Sequence, residues 1–127
     1  MTSLKPAILL LWPDAHLRDI YVSRFERDGW EVAAATNLVD AERKSVQLRP
    51  AIFFVHHAML DNVKATFKHL RGLPTLLKTK IVVADKHLSR QAVADVLEAG
   101  AQAVIMTAQL TPQDLVKHMN KFIDPVV

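Results

Sequence analysis

The sequence has 127 residues, a length typical of one domain that can bury a hydrophobic core without covalent cross-links. Half of the residues are hydrophobic and 23% are charged, as in an ordinary soluble globular protein. Cysteine does not occur, which excludes disulfides, iron–sulfur clusters and thiolate metal sites. The formal net charge of +3 comes from 16 basic and 13 acidic residues scattered along the chain, so nucleic-acid binding is not expected.

The longest apolar run near the start covers residues 7–12. It is far too short for a membrane-spanning helix, and it lacks the layout of a signal peptide. The lack of cysteine is compatible with a reducing compartment. We therefore expect a cytoplasmic protein that does not associate with a membrane.

The first predicted strand is "AILLL" at 7–11. Apolar residues then recur at helical spacing from Leu17 to Phe25, which predicts a helix. Gly29 stands where this helix should stop, because glycine is favoured just beyond a helix end. "VAAA" at 32–35 predicts the second strand.

A weaker helical stripe runs from Leu38 to Leu48 and stops before Pro50. The apolar run "IFFV" at 52–55 predicts the third strand. This strand leads directly into two histidines, His56 and His57, at its carboxyl end.

The second half of the chain repeats the alternation. Helical spacing from Val63 to Leu70 predicts the third helix, and "IVVA" at 81–84 predicts the fourth strand. Ser89 is a candidate N-cap of the fourth helix, which leads to the fifth strand, "AVIM" at 103–106. Thr111 opens the last helix, with proline in its first turn and an aspartate at the reciprocal capping position.

Strands that are continuously apolar are typical of a parallel sheet covered on both faces. Five alternating strand–helix units predict an α/β fold with a doubly wound parallel sheet, in one domain over residues 1–127. Ligands of such folds bind beyond the carboxyl ends of the strands. The predicted site therefore lies in the loops that follow Leu11, Val55, Ala84 and Met106.

Several motifs resemble the receiver domain of bacterial response regulators, the CheY-like family, over nearly the whole chain. "LRDIYVSRFERDGWEVAAA" resembles the family's first helix and second strand, and "RPAIFFV" resembles the approach to its phosphoacceptor strand. "VLEAGAQAVIMT" is similar to the fourth helix and fifth strand, and "TPQDLVKHM" to the start of the last helix. The resemblance implies a flavodoxin-like, five-stranded sheet of order 2-1-3-4-5 with helices on both faces.

An active member of this family phosphorylates an aspartate with the help of an acidic pair, a Ser or Thr, and a Lys. The acidic pair binds Mg²⁺, which prefers hard oxygen ligands, and the metal and the lysine neutralise charge during phosphoryl transfer. In this sequence the corresponding positions hold other residues: Trp12 and Pro13 for the acidic pair, with Asp14 just after it; His56 for the phosphoacceptor; Asp85 for the hydroxyl; and Thr107 for the lysine.

An imidazole cannot form an acyl phosphate, so His56 cannot take the phosphoacceptor role in its usual form. The resemblance therefore implies a degenerate pseudo-receiver that lacks the phosphoacceptor aspartate. We expect no enzymatic activity, no catalytic residue, no cofactor and no metal.

Other interpretations of this pocket remain open. His56 and His57, with Asp14 and Asp85, could bind a transition metal, although adjacent strand residues point to opposite faces. His56 could be phosphorylated directly, or it could sense pH if an aspartate neighbour moved its titration toward physiological pH. A small-ligand, metal or pH sensor that uses the vacated acidic pocket is the alternative hypothesis.

The segment around Trp12 has two further interpretations. "DAHLRD" at 14–19 partly resembles the D-x-H-x-x-G signature of cobalamin-binding domains, but Asp19 replaces the glycine. We favour Asp14 as the N-cap of the first helix. Pro13 biases Trp12 toward an extended backbone, and we interpret the indole as a plug over the vacated metal pocket, with a partner-facing anchor as the alternative.

Receivers commonly meet their partners through the fourth helix, fifth strand and last helix. In this sequence the family's aromatic switch position is Val104, and Gln102 replaces an acidic residue. With Lys117 and Lys121, these residues form the candidate partner face. We expect a phosphorylation-independent, receiver-like signalling domain, in or derived from a two-component phosphorelay, that binds a protein partner and could form a homodimer.

Overall fold

The computed structural model describes residues 5–123, so residues 1–4 and 124–127 of the predicted domain lie outside the described range. Strands and helices alternate along the chain. The strands are β1 (Ala7–Leu11), β2 (Glu31–Ala35), β3 (Ile52–His56), β4 (Lys80–Asp85) and β5 (Ala103–Met106). The helices are α1 (Ala15–Arg27), α2 (Leu38–Leu48), α3 (Val63–Arg71), α4 (Arg90–Ala99) and α5 (Pro112–Asn120). Two 3₁₀ turns, η1 (His57–Met59) and η2 (Pro74–Leu76), follow β3 and α3.

The strands form one parallel sheet in the order β2-β1-β3-β4-β5. This confirms the predicted doubly wound fold and its strand order. β3 and β4 each reach one residue further toward their carboxyl ends than predicted, because His56 pairs with Ala84 and Asp85 pairs with Met106. Backbone pairing does not require an apolar side chain, so the apolar run alone marked these strand ends too early.

Both faces of the sheet are buried. Leu10 and Phe54 pack with residues of α1 and α5 in one core cluster. Leu9 and Phe53 pack with residues of α2, α3 and α4 in the other. Successive residues of a strand point to opposite faces, so covering both faces requires the continuous apolar runs seen in the sequence.

Each α-helix begins at a polar side chain that accepts a hydrogen bond from the backbone N–H three residues later. These N-caps are Asp14, Asn37, Asn62, Ser89 and Thr111. The predicted capping role of Asp14 and Ser89 is confirmed, and Thr111 and Asp114 form the predicted reciprocal capping box. Capping satisfies N–H groups that have no partner inside the helix.

α1 ends in a Schellman motif. Gly29 has a φ of +92°; its N–H donates to the Glu26 carbonyl, and the Trp30 N–H donates to the Phe25 carbonyl, both at 3.0 Å. The rings of Phe25 and Trp30 meet edge to face, with centroids 5.3 Å apart. The predicted helix stop at Gly29 is confirmed, since the left-handed backbone and the apolar contact together turn the chain into β2.

The helices are short, and α1, with 13 residues, is the longest of those described. Over residues 5–123 none combines the length and the apolar character that crossing a lipid bilayer demands.

Candidate functional site

The carboxyl ends of β1, β3 and β4 bring three of the predicted site residues together. Trp12 directly follows β1, His56 is the last residue of β3, and Asp85 is the last residue of β4. The ring centroids of Trp12 and His56 are 4.9 Å apart, and His56 Nε2 lies 3.3 Å from Asp85 Oδ1. We call this group the Trp12–His56–Asp85 cluster.

Both ring nitrogens of His56 have partners. The Ala58 backbone N–H donates to Nδ1 at 3.1 Å, so Nδ1 must be the unprotonated nitrogen. The single proton of a neutral imidazole then sits on Nε2, where it can donate to the Asp85 carboxylate. In the neutral ring, Nδ1 therefore accepts a hydrogen bond and Nε2 faces a carboxylate.

Asp85 is held by its own neighbours. Its Oδ1 accepts the Lys86 backbone N–H at 2.7 Å, and its carbonyl accepts the Thr107 N–H at 2.9 Å. Thr107 therefore reaches the site through its backbone. The first bond holds the carboxylate that faces His56, and the second links the ends of β4 and β5.

Trp12 lies in the core rather than over an open pocket, with only 2% of its surface exposed. Its ring makes an edge-to-face contact with His56 and another with Tyr21, at 5.2 Å, and a tilted contact with Phe54, at 4.9 Å. The Trp12 carbonyl accepts a hydrogen bond from Arg18 Nη1 at 2.9 Å. The indole thus fills the space beneath His56, while its backbone is tied to α1.

Pro13 and Asp14, which follow Trp12 along the chain, are exposed. The Asp14 carboxylate accepts the Leu17 N–H at 2.9 Å as a helix cap. The structure therefore assigns Asp14 a capping bond, whereas Trp12 and Asp85 contact His56.

The sequence did not predict three partners in this cluster: the Ala58 N–H, the Tyr21 ring and the Arg18 guanidinium. A backbone N–H leaves no mark in a sequence. Tyr21 lies among the helically spaced apolar residues between Leu17 and Phe25, a pattern that predicts a helix but not this ring contact. Arg18 follows the Asp14 cap by four residues, but nothing in that spacing distinguishes it from an exposed charge.

Burial lowers the pKa of His56, and this effect is larger than the opposing attraction of Asp85; His57 lowers the pKa further. The predicted aspartate neighbour, Asp85, is present and raises the pKa of His56, but the pKa is lowered overall. The hydrogen bond from Ala58 acts in the same direction, because an imidazolium cannot accept it. The neutral ring is therefore the stable form near neutral pH.

The four side chains considered for a metal do not form a cluster. His57 lies in η1, beyond the end of β3, and Asp14 caps α1. Within residues 5–123, no group of three or more histidine, aspartate or glutamate side chains is placed to hold a metal ion.

The candidate partner face is partly exposed. Gln102, Lys117 and Lys121 are exposed, whereas Val104 is half-buried and packs against the core. Leu97 of α4 and Met106 of β5 are each 46% exposed. The α4 and β5 elements of this face thus carry apolar surface, and the segment before β5, together with α5, carries polar and basic side chains.

No protein-family model matches this chain, and no curated protein matches it in sequence. Its structure is similar to a response regulator from Thermotoga maritima, with a TM-score of 0.81, 18% identity, and coverage of 94% of this chain and 98% of that one. The signal receiver domain of a Bermanella marisrubri response regulator gives a TM-score of 0.81 at 20% identity, covering 95% and 100%. Chemotaxis protein CheY4 of Vibrio cholerae, crystallized at low pH, gives 0.83 at 16% identity, covering 94% and 100%. The chain therefore has the fold of response-regulator receiver domains.

Proposed function

We propose that this chain is a pseudo-receiver: a phosphorylation-independent, receiver-like signalling domain that acts by binding another protein. Its pathway would be a two-component phosphorelay or a system derived from one, in the cytoplasm. The proposal rests on the receiver fold together with one observation, the engagement of both His56 nitrogens at the end of β3.

The chemistry of the Trp12–His56–Asp85 cluster supports this proposal. An acyl phosphate needs a carboxylate nucleophile, and the residue at the end of β3 is an imidazole. Mg²⁺ needs several hard oxygen ligands, but the end of β1 presents a buried indole and a proline. Asp85, the carboxylate that remains, already faces His56. No residue of the cluster is left for a catalytic role, so the proposed domain is not an enzyme.

Direct phosphorylation of His56 is disfavoured by the same geometry. A phosphoryl group on Nδ1 would remove the acceptor of the Ala58 N–H, and one on Nε2 would displace the proton that faces Asp85. It would also place a phosphate beside the Asp85 carboxylate, where like charges repel.

A small-ligand sensor has less support than a protein-binding domain. A cavity of about 610 Å³ lies between α1 and the start of α5. Trp12, His56, Asp85 and Thr107 are not among its lining residues. At the Trp12–His56–Asp85 cluster the indole is buried and packs against the His56 ring.

The direct test is incubation with acetyl phosphate and Mg²⁺, followed by intact-mass measurement. We expect no phosphoryl adduct on this protein, while a phosphorylatable receiver treated in parallel gains one. A stable, Mg²⁺-dependent gain of one phosphoryl group by the wild-type chain would refute the proposal.

The His56→Asp variant sharpens this test by returning a carboxylate to the end of β3. We expect this variant also to remain unmodified, because Trp12 and Pro13 supply no magnesium ligands and Thr107 supplies no positive charge. If His56→Asp alone restored phosphorylation, the rest of the pocket would be competent, and the interpretation of Trp12 and Pro13 as substitutes that disable it would be wrong.

A further inference from the structure

The outer face of α2 carries apolar side chains that the core does not use. Val39 is 77% exposed and Val46 is 57% exposed, and Leu77, which directly follows η2, is 59% exposed. These are the three most exposed large apolar side chains in the described part of the chain. Two exposed valines on one helix face are unusual, because valine is a weak helix former and gains nothing there from burial.

These valines line a groove between α2 and η2. Its volume is about 420 Å³, and its lining is Val39, Glu42, Arg43, Val46, Leu73, Pro74 and Thr75. One wall is therefore the outer stripe of α2, and the other wall is the segment that leads into η2.

A hydrogen bond joins α2 to η2 beside the groove. The hydroxyl of buried Ser45 donates to the Glu42 carbonyl at 2.7 Å, which leaves the Thr75 hydroxyl to donate to Ser45 Oγ at 2.8 Å. The charged side chains between the valines are also held, since Glu42 pairs with His69 of α3 and Arg43 pairs with Asp40. A rigid surface loses little conformational entropy when it binds.

The outer stripe of α2 is complementary to itself. Val39, Glu42, Arg43 and Val46 follow one another at spacings of three, one and three residues, so they share one face of the helix. A two-fold axis between Glu42 and Arg43 would place a second α2 antiparallel to the first. In that arrangement Val39 meets Val46 of the second copy, and Glu42 meets Arg43 of the second copy, on both sides of the axis.

We propose that the α2–η2 face binds a second copy of this chain through antiparallel packing of the two α2 helices. The valines supply the apolar contact. Glu42 pairs with His69 through Oε1, and Arg43 pairs with Asp40 through Nη2. The second carboxylate oxygen of Glu42 and the other N–H groups of Arg43 then form the reciprocal pairs that fix the direction of the helices. This inference is independent of the proposed function, because it does not involve the Trp12–His56–Asp85 cluster or the candidate partner face.

The expected dimer is weak. We expect one 11-residue helix and a 3₁₀ turn to bury less area than the roughly 800 Å² per partner of a standard protein interface. We therefore expect reversible, concentration-dependent association rather than an obligate dimer.

Analytical ultracentrifugation of the full chain, from roughly 10 µM to roughly 1 mM, tests the proposal. We expect the average mass to rise toward that of a dimer with concentration. The double variant Val39→Lys, Val46→Lys should stay monomeric throughout, with an unchanged circular dichroism spectrum. The matched control is Leu97→Lys, Met106→Lys, which alters the exposed apolar residues of the other face and should associate like the wild type.

A charge-exchange experiment tests the antiparallel geometry. Glu42→Arg alone leaves arginines facing each other across the two-fold axis, and Arg43→Glu alone leaves glutamates facing each other there. Each variant should therefore associate less than the wild type, because like charges repel. Mixed in equal amounts, the two variants regain both opposite-charge pairs and should form a heterodimer.

Three results would overturn the proposal. The first is a wild type that remains monomeric over the whole concentration range. The second is a dimer that is lost in the Leu97/Met106 control but kept in the valine variant, and the third is a mixture of the charge variants that associates no better than either variant alone. A wild type that is monomeric would leave the α2–η2 groove to a partner of another kind.

Discussion

The carboxyl end of the sheet and the outer face of α2 differ in which side chains they expose. At the carboxyl end of the sheet the Trp12 indole is buried, and His56 and Asp85 face each other. On α2, valine side chains face the solvent. Trp12 is 2% exposed and Val39 is 77% exposed. His56 accepts a hydrogen bond at Nδ1, and its Nε2 lies 3.3 Å from Asp85 Oδ1. Receivers place their chemistry at the carboxyl end of the sheet. In this chain the side chains at that end contact one another, whereas the outer face of α2 has exposed apolar surface. The difference is consistent with the proposed function, in which the chain acts by binding another protein.

The largest expected effect is on the free energy of unfolding when the buried Trp12 ring is removed. Trp12→Ala should lower the free energy of unfolding by about 3–5 kcal/mol, because it leaves a cavity among Tyr21, Phe54 and His56. Urea unfolding followed by circular dichroism measures this. Trp12→Phe should cost clearly less, since it keeps an aromatic ring in place. Equal losses for both variants would mean that packing under His56 contributes little.

The next effect concerns the hydrogen bond that joins Ser45 of α2 to Thr75 of η2. Ser45→Ala should destabilise the chain by about 1–2 kcal/mol, because the buried Ser45 hydroxyl bonds both the Glu42 carbonyl and Thr75. Hydrogen exchange should also show faster exchange around η2 than in the wild type. If exchange there were unchanged, the bond from Ser45 to Thr75 would not be what fixes η2 against α2.

The third prediction concerns pH at the Trp12–His56–Asp85 cluster. The pKa of His56 in the folded state lies below its ordinary value of 6.5, so below that pH the unfolded chain binds more protons than the folded one. The contribution of neutral His56 to stability is therefore fully present above pH 6.5 and is lost as the pH falls toward the folded pKa. The groups that interact with His56 are Asp85 at the end of β4 and His57 in η1, with the Trp12 ring packed beneath it.

Urea unfolding of the wild type and of His56→Gln across this pH range isolates that contribution. The depressed pKa values of Asp40 and Asp114 affect a more acidic range, below their ordinary value of 3.8, and are shared by both proteins. In the wild type, the Ala58 amide resonance should shift as His56 gains a proton on Nδ1 and the hydrogen bond is lost. The same pH dependence in both proteins would contradict the lowered pKa of His56 in the folded state.

The smallest expected effect is at the exposed valines. Val39→Lys and Val46→Lys should each change the free energy of unfolding of the monomer by less than about 0.5 kcal/mol, since neither side chain is buried in the core. Urea unfolding at low protein concentration measures this. A loss comparable to that of Trp12→Ala would mean that the α2 face stabilises the fold rather than binding another molecule.

The sequence predicted the fold well where one physical signal was sufficient. Continuous apolar runs marked all five strands, and Ser89, Thr111 and Gly29 marked helix ends through local hydrogen bonding. Its strand limits were short at His56 and Asp85, because the backbone ladder continues past the apolar residues. The left-handed backbone of Arg49 at the end of α2 had no signal in the sequence, since residues other than glycine adopt it uncommonly.

The candidate site was predicted less completely than the fold. The resemblance to receivers brought Trp12, His56, Asp85 and Thr107 to one edge of the sheet, and the structure has Trp12 and Asp85 against His56, with Thr107 bonded to the Asp85 backbone. The direction of the His56 pKa could not be read from the residues, because Asp85 and burial act in opposite directions and only their sizes decide.

By itself, then, the sequence determined the alternation of strands and helices, the burial of both sheet faces, and the residue types available at the carboxyl edge. These depend on side-chain polarity and local backbone preference, which are properties of single residues and near neighbours. Only the tertiary structure decided which nitrogen of His56 carries the proton, that the Trp12 indole lies beneath that ring, and which α2 side chains remain exposed. Each of these depends on distances between atoms that only the packed chain brings together.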